Sequence, residues 1–319
     1  MQSGNQRLQL QQAVRRQPAD FIAWVMLADA ELEAGDRTAG EQAARRALQL
    51  RPGHPEALAR LGRAAWMAGA HADAARLLGE AAAVAPRHPG IALWLGHALE
   101  DSGDAEGAAD AYRRAHALMP GEPYIAAQRL AWQRRLCDWQ DVEALSRQVR
   151  HAVAQGQGAV EPFAFLSEDA SAAEQLACAR LRAAQIAQAI RPLPPSRVRT
   201  QGPLRVGWLS NGFGAHPTGL LTVALLEQLQ ADPALQMHLF ALNRDDGSPI
   251  RRRLSAASRL HEVAGLRHAD VAAAIRGQGI DVLVDLRGWG GGGTPEVLAM
   301  RPAPLQVNWL AYPGTSGAP

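Results

Sequence analysis

The chain has no lysine; all 33 of its basic residues are arginine. A Schiff base, a Walker-type phosphate lysine and a Ser–Lys hydrolase pair are therefore excluded within it. Cysteine is almost as scarce. Cys137 and Cys178 are the only two, which leaves no disulfide framework and no paired-cysteine zinc site. Aromatic residues are 5% of the 319, and no apolar run approaches the ~18–20 residues that a bilayer span needs. Net charge is +2 with both signs interspersed, so no basic face points to nucleic acid or an anionic membrane. Residues Met1 to Arg16 are polar and glutamine-rich, without the apolar core of a signal peptide, and the cytoplasm is the expected location. With 47% hydrophobic and 20% charged residues, the composition is that of a folded protein of about two domains.

The first half repeats itself. Pro18, Pro52, Pro86 and Pro120 stand 34 residues apart, Gly35, Gly69 and Gly103 follow the same interval, and Cys137 falls on the next beat. Between them run helical patterns, Trp24-Leu27-Ala28, Leu58-Leu61-Gly62 and Ala92-Leu95-Gly96, each followed by an alanine-rich partner marked by Ala47, Ala81 and Ala115. Glycine suits a turn between helices that needs positive φ. Proline lacks the N–H to continue a helix and stops the second of each pair. A 34-residue helix–turn–helix unit of this kind resembles the tetratricopeptide repeat, over roughly residues 1–140. Such pairs stack into a superhelix with a concave surface, which implies a protein or peptide partner; a spacer or dimerisation arm is the alternative. Trp24, Trp66 and Trp94 sit at helical spacing and read as packing residues.

Trp132, Leu136, Cys137, Asp138 and Trp139 close the array, and a helix follows to about Ala154. Gln155-Gly156-Gln157-Gly158 reads as a loop, and Ser171 to Ile190 as a second helix. The segment Arg191-Pro192-Leu193-Pro194-Pro195 cannot be helical and reads as a domain linker. Residues 141–200 are thus expected to form a helical linker region between the repeats and a domain at 201–319.

That domain alternates strand and helix: strands at Leu204 to Leu209, Gln236 to Leu242, Ile280 to Leu286 and Leu305 to Leu310, with helices at Thr218 to Leu229, Ala269 to Arg276 and Thr294 to Met300. The order predicts a parallel, Rossmann-like sheet, whose ligands sit beyond the carboxyl ends of the strands. Three loops lie there. The first, Asn211 to Thr218, carries His216 at a helix start, where the dipole favours a neutral imidazole able to accept a proton or donate a hydrogen bond. The second, Arg287 to Gly293, has four consecutive glycines whose N–H groups could hold a diphosphate. The third, Tyr312 to Gly317, offers hydroxyls and glycine backbone. Asp245-Asp246-Gly247 lacks the spacing of a metal-binding DxD pair and reads as a turn. Arg251-Arg252-Arg253 reads as the solvated end of a following helix. His54, His71, His88, His97 and His116 show no metal-ligand pairing, nor do His151, His238, His261 and His268.

Together with the repeats, Phe213-Gly214-Ala215-His216-Pro217-Thr218, the glycine loop and the run from Arg301 to Gly317 (RPAPLQVNWLAYPGTSG) resemble the O-linked N-acetylglucosamine transferase family, in a bacterial form. Cys137-Asp138-Trp139 matches it too. The resemblance implies a GT-B fold of two Rossmann-like lobes and a metal-independent, inverting transfer of N-acetylglucosamine from UDP-GlcNAc to Ser/Thr of proteins. Carried over, it implies a donor site at His216, Pro217, Thr218, Gly291, Gly292, Leu310 and Ala311, with His216 as the candidate catalytic residue and general base. No resident cofactor or metal is implied; the partners are a UDP-sugar and a protein or peptide acceptor in the repeat groove. The chain departs from the family at Gly212, Ala215, Gly291 and Ala311, and Met26, Arg60 and Trp94 replace its asparagine ladder. The expected second lobe, with the uridine site and a diphosphate-neutralising lysine, follows Pro319 in the family, so residues 1–319 are expected not to turn over alone. The alternatives are a repeat scaffold with an inactive nucleotide-binding lobe, or a transferase using another sugar nucleotide such as GDP-fucose.

Overall fold

The computed structural model describes residues 2–157, 160–196 and 200–318. Gly158 of the expected loop and the terminal Pro319 lie outside them. The chain divides into two compact units, 1–151 and 152–319, each described below by itself.

The first unit is helical: α1 (Gln2–Arg16), α2 (Phe21–Glu33), α3 (Arg37–Leu50), α4 (Pro55–Met67), α5 (His71–Val84), α6 (Pro89–Ser102), α7 (Ala105–Leu118), α8 (Pro123–Arg135) and α9 (Val142–Ala154). Its punctuation repeats with the sequence. Asp20, His54, His88 and Glu122, 34 residues apart, cap α2, α4, α6 and α8 through their side chains. Such caps satisfy N–H groups that no helical carbonyl can reach. Proline follows at the first turn of α4, α6 and α8, where its missing N–H is not needed. Gly35, Gly69 and Gly103 adopt φ of 79°, 75° and 86°, as their periodicity predicts, and Cys137 on the next beat is forced to 55°. Ala47, Ala81 and Ala115 have no exposed surface, so small residues sit where the helices approach. Added bulk at Gly62 or Gly96 would meet Leu78 at 2.7 Å or the Tyr112 ring at 2.5 Å. The three tryptophans do pack: Trp66 and Trp94 meet edge to face at 5.3 Å, and Trp24 donates to Pro18 O at 3.0 Å. Met26, Arg60 and Trp94 share one register, and there Arg60 pairs with Asp29 and Glu56.

The second unit opens with α10 (Pro162–Phe165) and α11 (Ala172–Ala189), the latter started by a capping box in which Ser171 and Glu174 exchange hydrogen bonds. The remaining elements are β1 (Leu204–Ser210), α12 (Pro217–Gln230), β2 (Leu235–Ala241), α13 (Pro249–Ala256), β3 (Arg259–Glu262), α14 (His268–Gly277), β4 (Val282–Asp285), α15 (Pro295–Ala299) and β5 (Leu305–Asn308). The strands form one parallel sheet in the order β3-β2-β1-β4-β5. Alternate residues enter opposite cores. Trp208, Leu239 and Val284 join Val223, Leu226 and Leu254 of α12 and α13, whereas Leu209, Phe240 and Leu283 join Val271, Ile275 and Val297 of α14 and α15. A sheet buried on both faces accounts for strands that read as unbroken apolar runs.

Two expectations need correction, and one strand was not expected. Arg251 is not at the solvated end of a helix; it lies inside α13 and is 1% exposed. β3 escaped notice because RLHE is short and polar, as suits an edge strand. The proline segment lies against the second unit: Leu193 N donates to Met300 O at 2.8 Å, and Arg276 donates to Pro194 O. The prolines supply carbonyls without donors, and those carbonyls are used. No helix among the described residues is long and apolar enough to cross a membrane.

Candidate functional site

The chain runs β1-β2-β3 in one direction across the sheet, then crosses to β4-β5 on the other side of β1. The loops after β1 and β4 therefore diverge from neighbouring strand ends, the place where open α/β sheets bind ligands.

Loop 211–216 brings His216 to the start of α12. Its Nδ1 accepts the Thr218 N–H at 3.1 Å, and the Leu220 N–H bonds its carbonyl at 3.0 Å. Since Nδ1 holds the lone pair in that bond, neutral His216 carries its proton on Nε2 and presents a donor. Burial first, and then the charge of Arg287, lower its pKa from the ordinary histidine value and keep the ring neutral. Pro217 is exposed at the first helical position, and Thr218 is buried, its carbonyl accepting Thr222 Oγ1 at 2.7 Å. Gly212 leaves room for the imidazole: a Cβ there would stand 2.5 Å from Nδ1.

Loop 286–293 is tied from below by Asp285, which is 3% exposed and accepts the N–H groups of Arg287 at 3.0 Å and Gly288 at 2.9 Å. Asn308 Nδ2 adds a third donor at 3.3 Å. Burial pushes the Asp285 pKa up, against the pull of these hydrogen bonds and of the Arg287 charge. Gly288 takes φ of 54° and leaves no space for a side chain against Asn308 and Tyr312. The Arg287 guanidinium turns back onto Gly291 O, which also accepts Asn211 Nδ2 at 3.3 Å. Gly292, at φ of 72°, lies so close to Asn211 that a Cβ could not be placed. The glycine run thus bends back to meet the β1 loop at Gly292, where Asn211 takes the space of a side chain.

The structure accordingly brings His216, Thr218, Gly291 and Gly292 together across the β1–β4 boundary, with Arg287 and Asn211 between them. Leu310 and Ala311 lie one strand further out. Leu310 has φ of 89°, an uncommon conformation outside glycine, and packs against the core that contains Phe213; Ala311 N donates to Leu286 O at 3.3 Å. Two buried oxygens at the site, Asn211 Oδ1 and Thr294 Oγ1, have no hydrogen-bond partner among the described residues. Beside the site, a cavity of about 530 Å³ is lined by Asp285, Gly288, Trp289, Asn308 and residues of α11 and α15, but by none of the predicted donor residues. Sequence reasoning did not single out Asn211 or Asp285. Their only sequence signal is position, directly after or at the end of a predicted strand.

Residues 170–319 match the family model of glycosyl transferase family 41, and residues 7–55, 25–83 and 59–123 match a tetratricopeptide repeat model. The chain is similar to the UDP-N-acetylglucosamine–peptide N-acetylglucosaminyltransferase of Caenorhabditis elegans, with 34% identity over 119 residues, 36% of this chain and 10% of that protein. It is also similar to a probable enzyme of the same name, SEC, of Arabidopsis thaliana, with 32% identity covering 36% of this chain and 12% of that one. Among solved structures it matches a Thermobaculum terrenum O-GlcNAc transferase mutant at 27% identity and a TM-score of 0.51. That match covers 93% of this chain and 52% of the other, so the chain spans about half of that structure and about a tenth of the curated relatives' length.

Proposed function

We propose that the chain, whose residues 170–319 match glycosyl transferase family 41 behind tetratricopeptide repeats, belongs to the O-linked N-acetylglucosamine transferase family and supplies the helical arm and one lobe of a metal-independent, inverting transferase. Its donor is UDP-GlcNAc, and its acceptor is a Ser or Thr hydroxyl of a protein held by the arm. The observation that carries this reading is the convergence of His216, Asn211 and the Arg287–Gly293 loop at the sheet's switch point.

Inversion is a single displacement: the hydroxyl oxygen bonds to the anomeric carbon as the bond to the UDP oxygen breaks. The leaving diphosphate gains negative charge, so groups that meet that charge lower the barrier. His216 Nε2–H is a neutral donor aimed from a helix start, and Arg287 adds a fixed positive charge beside it. His216 has its lone pair committed to Thr218, which favours a hydrogen-bonding role over a general-base role. The acceptor proton passes instead to another oxygen, for which a donor phosphate is chemically suited.

The test incubates the full-length gene product with a protein acceptor, chelator and either UDP-GlcNAc or GDP-fucose, and follows release of the nucleoside diphosphate. UDP release with sugar gained on the acceptor supports the reading. GDP release alone moves it to another sugar nucleotide, and neither release leaves a scaffold.

A further inference from the structure

The β1–α12 loop contains no regular structure, yet its backbone is held at Phe213 and Ala215 by the loop after β2 and by α13. Asn243, just after β2, accepts the Phe213 N–H through Oδ1 at 3.1 Å and returns Nδ2 to Phe213 O at 2.9 Å. Its amide thus pairs with that residue as a neighbouring strand would. Arg251 Nη1 reaches the same carbonyl at 2.9 Å while its other nitrogen pairs with Glu262. Asp246 Oδ2 accepts the Ala215 N–H at 2.7 Å, and Oδ1 accepts the Ser248 N–H at 3.0 Å. Gly214 leaves the space the Asp246 carboxylate occupies, and Gly219 lets α12 close onto Gly214. The residue after Ala215 is His216.

We propose that Asn243 and Asp246 are positioning residues for His216, fixing the β1–α12 loop so that the imidazole meets the donor. The inference rests on reading the His216 loop as the donor site. Preorganised sites need such a supporting layer, because small displacements of a polar group forfeit much of its effect. Asp246 acts through its bonds rather than its charge: Arg287, and not Asp246, is the charge that moves the His216 titration. The hydrogen bonds from Ala215 and Ser248 hold the Asp246 carboxyl down at about 2, so it stays an acceptor across physiological pH. This assigns a use to the Asp245-Asp246-Gly247 turn, which the donor site itself does not contact.

The experiment compares Asp246→Ala, Asp246→Asn, Asn243→Ala and His216→Ala in the full-length gene product. It reads kcat and KM for UDP-GlcNAc, thermal midpoint, and the pH titration of the His216 ring by NMR. Asp246→Ala and Asn243→Ala should each lower kcat by about tenfold or more, as displaced catalytic groups do. Asp246→Asn keeps an oxygen for Ala215 N–H and should restore most of it. Adding Asp246→Ala to His216→Ala should cost little more, since both remove the same contact. Wild-type kcat in Asp246→Ala and Asn243→Ala, beside a defective His216→Ala, would overturn the positioning role and leave the donor site standing. If His216→Ala itself turns over normally, the donor-site reading fails. The ring titration then decides the clamp: a shift in Asp246→Ala supports it, and an unchanged curve overturns it.

Discussion

In the helical unit the turns and helix starts are built several times over, by residues 34 positions apart; at the switch point of the α/β unit each contact is made once, by residues far apart in sequence. Gly35, Gly69 and Gly103 do the same work at three turns, whereas Asp285 has no duplicate. Repetition makes the arm readable and locally forgiving, since each repeat leans only on its neighbours. The α/β unit concentrates its singular contacts at the switch point, where one lost bond disturbs the site.

The contrast is open to attack by pH. His238, 1% exposed and bonded to His261 at 3.0 Å, is held neutral down to a pKa of about 4, chiefly by burial and then by the charges of His261, Arg259 and Arg205. Between that value and the unfolded value near 6.5, the unfolded chain binds a proton that the folded one refuses. Stability of the α/β unit should therefore be intact at pH 7 and decline as pH falls through 6.5 toward 4, by on the order of 3 kcal/mol. His216 and His261 of the same unit are lowered as well, chiefly by burial, against His97 and His116 in the arm, so the arm should show a shallower slope. Hydrogen exchange at pH 7 and 4.5, read separately over residues 1–151 and 152–319, checks it; equal losses in the two units would break the contrast.

Glycine substitutions give the next largest difference. Gly219→Ala drives a methyl into the backbone oxygen of Gly214, which cannot turn aside, and should destabilise by about 2 kcal/mol or more. Gly62→Ala presses at 2.7 Å on the buried Leu78 side chain rather than on backbone, and its gain of about 1 kcal/mol in helix propensity offsets part of the overpacking, so it should destabilise less than Gly219→Ala. Chemical denaturation of the two variants measures the gap. Asp285→Ala orphans two N–H groups and should cost about 2 kcal/mol with amide protection lost in 286–293. Unchanged protection there would detach Asp285 from the loop. The smallest effect has the opposite sign: Cys137→Gly relieves a positive φ and should stabilise the last turn of the array by about 0.5 kcal/mol, while Gly103→Ala should destabilise by about 1 kcal/mol. Thermal midpoints of the pair would show whether the beat continues past Gly103.

The same contrast governs what could be read from residues alone. The 34-residue beat located the turns and the buried alanines without any tertiary information. Strand alternation located β1, β2, β4 and β5 and the loops that matter, because apolar runs bounded by glycine carry local signal. Arg251 read as a surface charge because nothing nearby shows that its partners are Phe213 O and Glu262, 38 and 11 residues away. Asp246 read as a turn residue, and it is one; that it also holds Ala215, 31 residues back, is a fact of sheet topology. β3 was missed, and the helix expected after Arg253 starts instead at Pro249, because a four-residue edge strand and a helix rich in arginine lack the apolar periodicity that marks an element. His216 was found by position at a strand end, but its tautomer needed the Thr218 contact.

The central claim is that the β1 and β4 loops form a donor site around His216. The most direct measurement is steady-state kinetics of His216→Ala in the full-length gene product, with kcat and KM for UDP-GlcNAc taken beside a denaturation curve. Loss of a helix cap should lower stability by about 1 kcal/mol, too little to unfold the protein. Loss of a hydrogen bond made to the developing charge should lower kcat by about 10²-fold with a smaller change in KM. Wild-type kcat and KM in a folded His216→Ala enzyme would contradict the account.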